Sequence, residues 1–84
     1  MEKSIYTREY TAFLRQLREA RRASGVTQEE LARRLKQTQS TISKIERGER
    51  RLDVIELRRV CRALGINFPK FVRRINTTLT RNLD

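Results

Sequence analysis

The chain has 84 residues, with 20 Lys and Arg against 10 Asp and Glu, one cysteine, no histidine and no tryptophan, giving a formal charge of +10. That length has room for one domain, because a small domain buries only about 60% of the surface its unfolded chain exposes. Cys61 has no partner for an internal disulfide, and a chain without imidazole and with one thiol is poorly equipped for a zinc site or for acid–base catalysis, so neither a metal, a cofactor nor an enzyme is expected.

Apolar residues recur at intervals of three and four, and no stretch alternates as a strand would. Tyr6, Tyr10, Phe13, Leu14, Leu17 and Ala20 or Arg21 form one stripe, which predicts a first helix over about residues 7–24. Gly25 follows it, where a left-handed residue ends a helix. Thr27-Gln28-Glu29-Glu30 has the spacing of a capping box, in which Thr27 receives an amide and Glu30 reaches back. It opens a second helix over 28–35 with Leu31, Ala32 and Leu35 inward. Lys36-Gln37-Thr38 reads as a turn. Ile42 and Ile45 stripe a third helix over 39–47, stopped by Gly48.

Asp53-Val54-Ile55-Glu56 is a second capping box, opening a helix over 53–64 with Leu57, Val60, Cys61 and Leu64 inward. Asn67 caps a fifth helix over 68–75, with Pro69 tolerated in its first turn. Residues 76–84 lack periodicity and either fray or continue that helix; they are treated as a tail to a core of about 13–72. The expectation is an all-α, five-helix domain spanning residues 1–84. Cys61, in the apolar stripe of the fourth helix, is expected to be a buried structural thiol.

Sixteen of the 20 cations are Arg, the side chain suited to bidentate phosphate contact. The positive excess is spread evenly along the chain, so a polyanionic partner is indicated but not located by charge alone. Spacing locates it. The second and third helices, short and joined by a tight turn, have the dimensions of a helix-turn-helix. With Leu31, Ala32, Leu35, Ile42 and Ile45 inward, the third helix turns Gln39, Ser40, Thr41, Ser43, Lys44 and Arg47 outward. Amides and hydroxyls at the start of such a helix suit base edges in a major groove, where Gln can pair bidentately with adenine.

The order Leu17-Arg18, Arg21, Gly25-Val26-Thr27-Gln28-Glu29-Glu30-Leu31-Ala32, Gln39 to Gly48, Leu57 and Ala63-Leu64-Gly65-Ile66 resembles the Cro and phage-repressor (XRE) family over about residues 13–72. The resemblance implies a lambda-repressor-like five-helix DNA-binding domain that acts as a dimer on a palindromic operator. It further implies that Gln28 binds a phosphate while bracing Gln39, and that Gln39 and Ser40 read bases. Thr41 and Lys44 match other groove-facing positions. Arg21 and Glu46 match a structural pair tying the first helix to the third. Arg47-Gly48-Glu49-Arg50-Arg51 matches the segment along the DNA backbone, so Arg47, Arg50 and Arg51 are expected at phosphates. Two positions depart from the pattern. Lys36 stands where Gly is usual, at a cost of about 1 kcal/mol for a left-handed Lys, and Gln37 stands where an apolar residue is usual.

Arg33, Arg34, Arg58, Arg59 and Arg62 ride outer helix faces and read as solvated charges, the last three also as inter-subunit ones. Phe68, Phe71, Val72 and Ile75 form an apolar face that is either intramolecular packing or a dimer seam; the seam is favoured, since one module reading two or three bases gives little specificity. The resulting expectation is a sequence-specific, double-stranded-DNA-binding transcriptional regulator, a homodimeric repressor or autoregulator, in the cytoplasm at the nucleoid. No small-molecule ligand and no membrane contact is expected. The competing reading is an antitoxin or another protein-interaction module on the same fold. RNA binding is disfavoured by the lack of aromatics outside the core stripes, and membrane-surface binding by the capped, interrupted helices.

Overall fold

The computed structural model describes residues 3–83, with side chains from 8 to 81. Its elements are α1 (Lys3–Ala23), α2 (Gln28–Leu35), α3 (Gln39–Glu46), α4 (Val54–Leu64) and α5 (Phe68–Leu83), with no strand among the described residues. α2 packs on α3 and α4, while α1 lies against α5 and α3 and α4 closes on α5. One cluster joins all five helices: Phe13, Leu14, Leu17 and Ala20 of α1 meet Leu31, Ala32, Ile42, Ile45, Val60, Cys61, Leu64 and Phe71, with Val26 of the first connection among them. Fully burying a side chain the size of Leu, Ile or Phe contributes about 1.5–3 kcal/mol, so this cluster supplies the main drive for assembly. Tyr6 falls on α1, but its side chain lies outside the described residues.

Local chemistry explains where the helices stop. After α1 the amides of Gly25 and Val26 bond to the carbonyls of Arg22 and Arg21 (2.9 and 3.2 Å), with Gly25 left-handed at φ +71°. After α2 the same closure is made with Lys36 at φ +56°, and the Gln37 amide returns to the Ala32 carbonyl at 2.8 Å. Lys36 therefore occupies the conformation usually reserved for glycine, and the turn keeps its geometry at that cost. Asp53 and Glu56 form the complete reciprocal box, each side chain accepting from the other's backbone amide at 2.7 and 3.0 Å. Asn67 Oδ1 accepts from the Lys70 amide at 2.9 Å and starts α5.

Several expectations need correction. Thr27 Oγ1 does accept from the Glu30 amide (3.0 Å), but the Glu30 carboxylate does not reach back to Thr27. It bonds forward to Arg33 and to Arg34 Nε, the latter at 2.9 Å. Two guanidinium groups one turn ahead outcompete a single neutral amide, because charge-assisted hydrogen bonds are roughly twice as strong. Arg34 is not merely solvated either: its Nη1 donates to the Ala63 carbonyl at 2.7 Å and ties α2 to the end of α4.

α1 begins earlier than expected, with no Gly or Pro in the preceding residues to stop it. α5 runs past Ile75 to Leu83, because Thr78 Oγ1 accepts from Gln16 Nε2 of α1 at 2.6 Å and half-buried Leu79 continues the stripe one turn beyond Ile75. Phe71, expected at a dimer seam, is 3% exposed inside the core; Phe68 and Ile75 pack against that core, and Val72, at 40%, is the member of the set that faces outward. Cys61 is fully buried, and burial raises its thiol pKa.

Gly48 ends α3 at φ +80°, and a methyl group there would sit 3.1 Å from Leu14 Cδ1. Gly25 shares the left-handed backbone but has open space around it. Gly25→Ala should therefore cost about 1 kcal/mol, and Gly48→Ala about 2 kcal/mol, the left-handed penalty plus a shift of Leu14. Thermal denaturation should show the larger loss for Gly48→Ala, by several degrees at this chain length. Equal losses would mean that Leu14 absorbs the methyl group freely.

Candidate nucleic-acid interface

α3 is aimed by its own first residues. Thr38 caps it, its Oγ1 accepting the Thr41 amide at 3.1 Å and sharing a 3.0 Å hydrogen bond with Thr41 Oγ1. Ile42, Ile45 and Glu46 then point inward, leaving Gln39, Ser40, Lys44 and Arg47 exposed and Thr41 and Ser43 half-buried. Among the described residues, the side chains of Gln39, Ser40 and Lys44 make no hydrogen bond or ion pair. A helix with that outer face is narrow enough for a major groove about 12 Å wide, and its uncharged donors and acceptors lie at its N-terminal end.

Beneath α3 lies a polar junction. Arg21 of α1 donates from Nε to Glu46 Oε2 at 2.6 Å and from Nη2 to Oε1 at 3.1 Å. Its Nη1 bonds to the Val26 carbonyl at 2.9 Å, and Gln28 Nε2 of α2 donates to Glu46 Oε1 at 2.9 Å. α1 and α2 thus meet on the carboxylate of α3, and the connection between them is held by the same Arg21 guanidinium. Both charged partners are buried, at 8% and 6% exposure, and no buried side-chain polar atom among the described residues lacks a partner. Burial by itself would raise the Glu46 pKa; the hydrogen bonds from Arg21 and Gln28 and the charges of Arg21 and Arg18 outweigh it and hold the carboxyl below its ordinary range. The Gln28 amide N–H therefore braces Glu46, where the family resemblance implies Gln39.

The segment after α3 folds back on that helix, with the Glu49 and Arg50 amides bonding to the Lys44 carbonyl at 2.8 and 3.3 Å. Each of its arginines is engaged. Arg47 bonds to Glu49 (Nε to Oε2, 2.7 Å) and to Ser43 Oγ. Arg50 donates to Glu56 Oε2 at 2.9 Å. Arg51 lies 4.6 Å over the Tyr10 ring, whose hydroxyl accepts from the Leu52 amide at 3.3 Å. These partners were not anticipated, because Glu49 looks like an ordinary surface acid in sequence, Glu56 like the acid of a capping box and Tyr10 like core. Also unanticipated, Val54 and Ile55 at the start of α4 are 63% and 56% exposed.

Five helices, with α2 and α3 joined by a tight left-handed turn and a polar outer face on α3, define a helix-turn-helix protein. A family model described as helix-turn-helix matches residues 17–71. Among solved structures, an XRE-family like protein from Pseudomonas syringae pv. tomato is similar at 45% identity and a TM-score of 0.83, over 90% of this chain and 93% of that one. The clp gene regulator ClgR from C. glutamicum is similar at 28% identity and a TM-score of 0.73, over 84% and 92%. A search of curated proteins gives no match. The chain belongs to the XRE-type helix-turn-helix family, whose members are of a DNA-binding, regulatory kind.

Because the folded Glu46 holds its proton less tightly than the unfolded one, its pairing stabilises the fold fully above the ordinary carboxylate pKa of 4.5 and is lost as pH falls through the lower folded value. Glu46→Gln should cost about 3 kcal/mol at neutral pH by leaving Arg21 buried without its counter-charge. The gap between wild type and Glu46→Gln, read from urea unfolding, should narrow as pH drops below 4.5. A gap constant down to strongly acidic pH would refute the ionised pair.

Proposed function

We infer that the protein is a sequence-specific double-stranded-DNA-binding transcriptional regulator, working as a homodimeric repressor or autoregulator on a palindromic operator. The observation that carries this reading is the outer face of α3: Gln39, Ser40 and Lys44 are exposed and unengaged, on a helix held from beneath by Glu46. Unengaged amide and hydroxyl groups at the leading end of a groove-sized helix are what base readout requires. The chain's +10 charge supplies the sequence-independent attraction to phosphates. The description of ClgR as a gene regulator supports a transcriptional role. In this reading Gln39 and Ser40 read bases, Thr41, Ser43 and Lys44 line the groove, and Gln28, Arg47, Arg50 and Arg51 lie along the backbone. The protein works in the cytoplasm, at the nucleoid.

Replacing Gln39 and Ser40 together by Ala should reduce the preference for operator over random duplex by about 2–4 kcal/mol, with an unchanged melting temperature. The operator is obtained beforehand by selection from random duplex. Discrimination equal to wild type would remove the reader assignment.

The dimer contact is assigned to Val54 and Ile55, the most exposed large apolar side chains among the described residues, in place of the α5 face whose Phe71 is in the core. Dimers of this kind present two reading helices about 34–36 Å apart, one turn of duplex. Sedimentation equilibrium should give a dimer for wild type at tens of micromolar and a monomer for the Val54→Ser, Ile55→Ser double variant. A dimer that survives both substitutions would move the contact elsewhere.

A further inference from the structure

Two carboxylates stand among the cations that the DNA-binding reading aims at phosphates. Glu49 takes Arg47 with both oxygens, at 2.7 Å from Nε and 3.3 Å from Nη2. The remaining Nη1 of Arg47 donates to Ser43 Oγ, so each of the three guanidinium nitrogens already has a partner within the chain. Glu56 takes Arg50 at 2.9 Å.

Neither acid is placed by chance. The Glu49 backbone is pinned to the end of α3 by the hydrogen bond its amide donates to the Lys44 carbonyl, 2.8 Å. Its carboxyl pKa is lowered by the hydrogen bond and charge of Arg47 and, further, by the charge of Lys44. Glu56 is fixed by the capping box: Oε1 accepts from the Asp53 amide at 3.0 Å, which leaves Oε2 for Arg50. Both pairs are substantially exposed, with side-chain exposures of 54% and 55% for Arg47 and Glu49 and 44% and 31% for Arg50 and Glu56. Such pairs are weak and exchange readily. A phosphate arriving at Arg47 or Arg50 must displace a carboxylate or share the cation with it, within a Debye length of about 8 Å where the acid's charge is still felt.

We propose that Glu49 and Glu56 are internal competitors for the phosphate backbone. Each holds an arginine of the DNA-facing segment when no duplex is present and lowers the affinity for duplex of any sequence. Base reading by Gln39 and Ser40 is untouched, since neither side chain contacts these acids. The proposal rests on the DNA-binding reading above and adds a specific role for two acids within it.

The test is fluorescence anisotropy with a labelled random-sequence duplex across a salt series. Glu49→Gln and Glu56→Gln should each tighten binding about five- to tenfold at low salt and steepen the dependence of log K on log salt by about 1. Gln at position 56 can still accept the Asp53 amide, so the cap is kept. Glu19→Gln on the exposed side of α1 makes the same change in net charge and should shift binding less than about twofold. In an Arg47→Ala background the effect of Glu49→Gln should disappear. Variants that bind as wild type does, that bind more weakly, or that gain no more than Glu19→Gln overturn the proposal while leaving the DNA-binding reading in place. A wild-type chain that binds no duplex at low salt overturns both.

Discussion

The bidentate bond between Arg21 and Glu46 is the contact on which the arrangement of the reading face depends. Apolar packing brings α1, α2 and α3 together around Ile42 and Ile45, but such contacts are non-directional and define the rotation of α3 about its axis less sharply than hydrogen bonds do. A planar guanidinium held on two carboxylate oxygens does fix it, because both bonds keep good geometry only at one setting. The third guanidinium nitrogen reaches the Val26 carbonyl, so the connection that launches α2 is set by the same side chain. Gln28 closes the arrangement from α2. Burying two charges is costly, and an apolar replacement of similar shape would often be no less stable. What such a replacement would lose is the angular definition of α3, on which the base readout proposed for that helix depends.

Much of the fold is legible in the sequence because its boundaries are local. Thr27, Asp53 and Asn67, readable as caps, each accept an amide three residues on, as does Thr38, which reads in sequence only as part of a turn; Gly25, Gly48 and Gly65 each take the left-handed conformation after a helix. The elements they bound, α2, α3 and α4, fall where spacing puts them. The end of α5 was less legible because it is held from far along the chain: Gln16 and Thr78 are 62 residues apart, and periodicity within a window does not reveal that bond. Phe71 illustrates a related limit. Its spacing with Phe68 and Ile75 defines an apolar face but does not say whether the neighbour is this chain or another.

The candidate site divides along the same line. Exposure of Gln39, Ser40 and Lys44 follows from helical spacing once Ile42 and Ile45 are inward. The partners of Arg47, Arg50 and Arg51 do not, because an exposed arginine has several acids within reach and only geometry decides among them. Glu30 makes the point most directly. Sequence spacing offered it the Thr27 amide, and it took Arg33 and Arg34 instead. Charge in this protein is therefore less free than +10 suggests: four of its acids, Glu30, Glu46, Glu49 and Glu56, each hold at least one arginine.

The locality of the caps also bears on how fast the reading face can assemble. Helix starts are fixed by bonds spanning three residues, and helix ends by bonds spanning three to five, so each helix can begin to form before it meets a neighbour. The junction that sets α3 closes a separation of only 25 residues. Helical chains dominated by such short-range contacts fold in microseconds to milliseconds. A ribosome adds about 5–20 residues per second. Once its last residues are free, the chain can have Glu46 seated on Arg21, and α3 presented, in less time than the synthesis of one further residue would take.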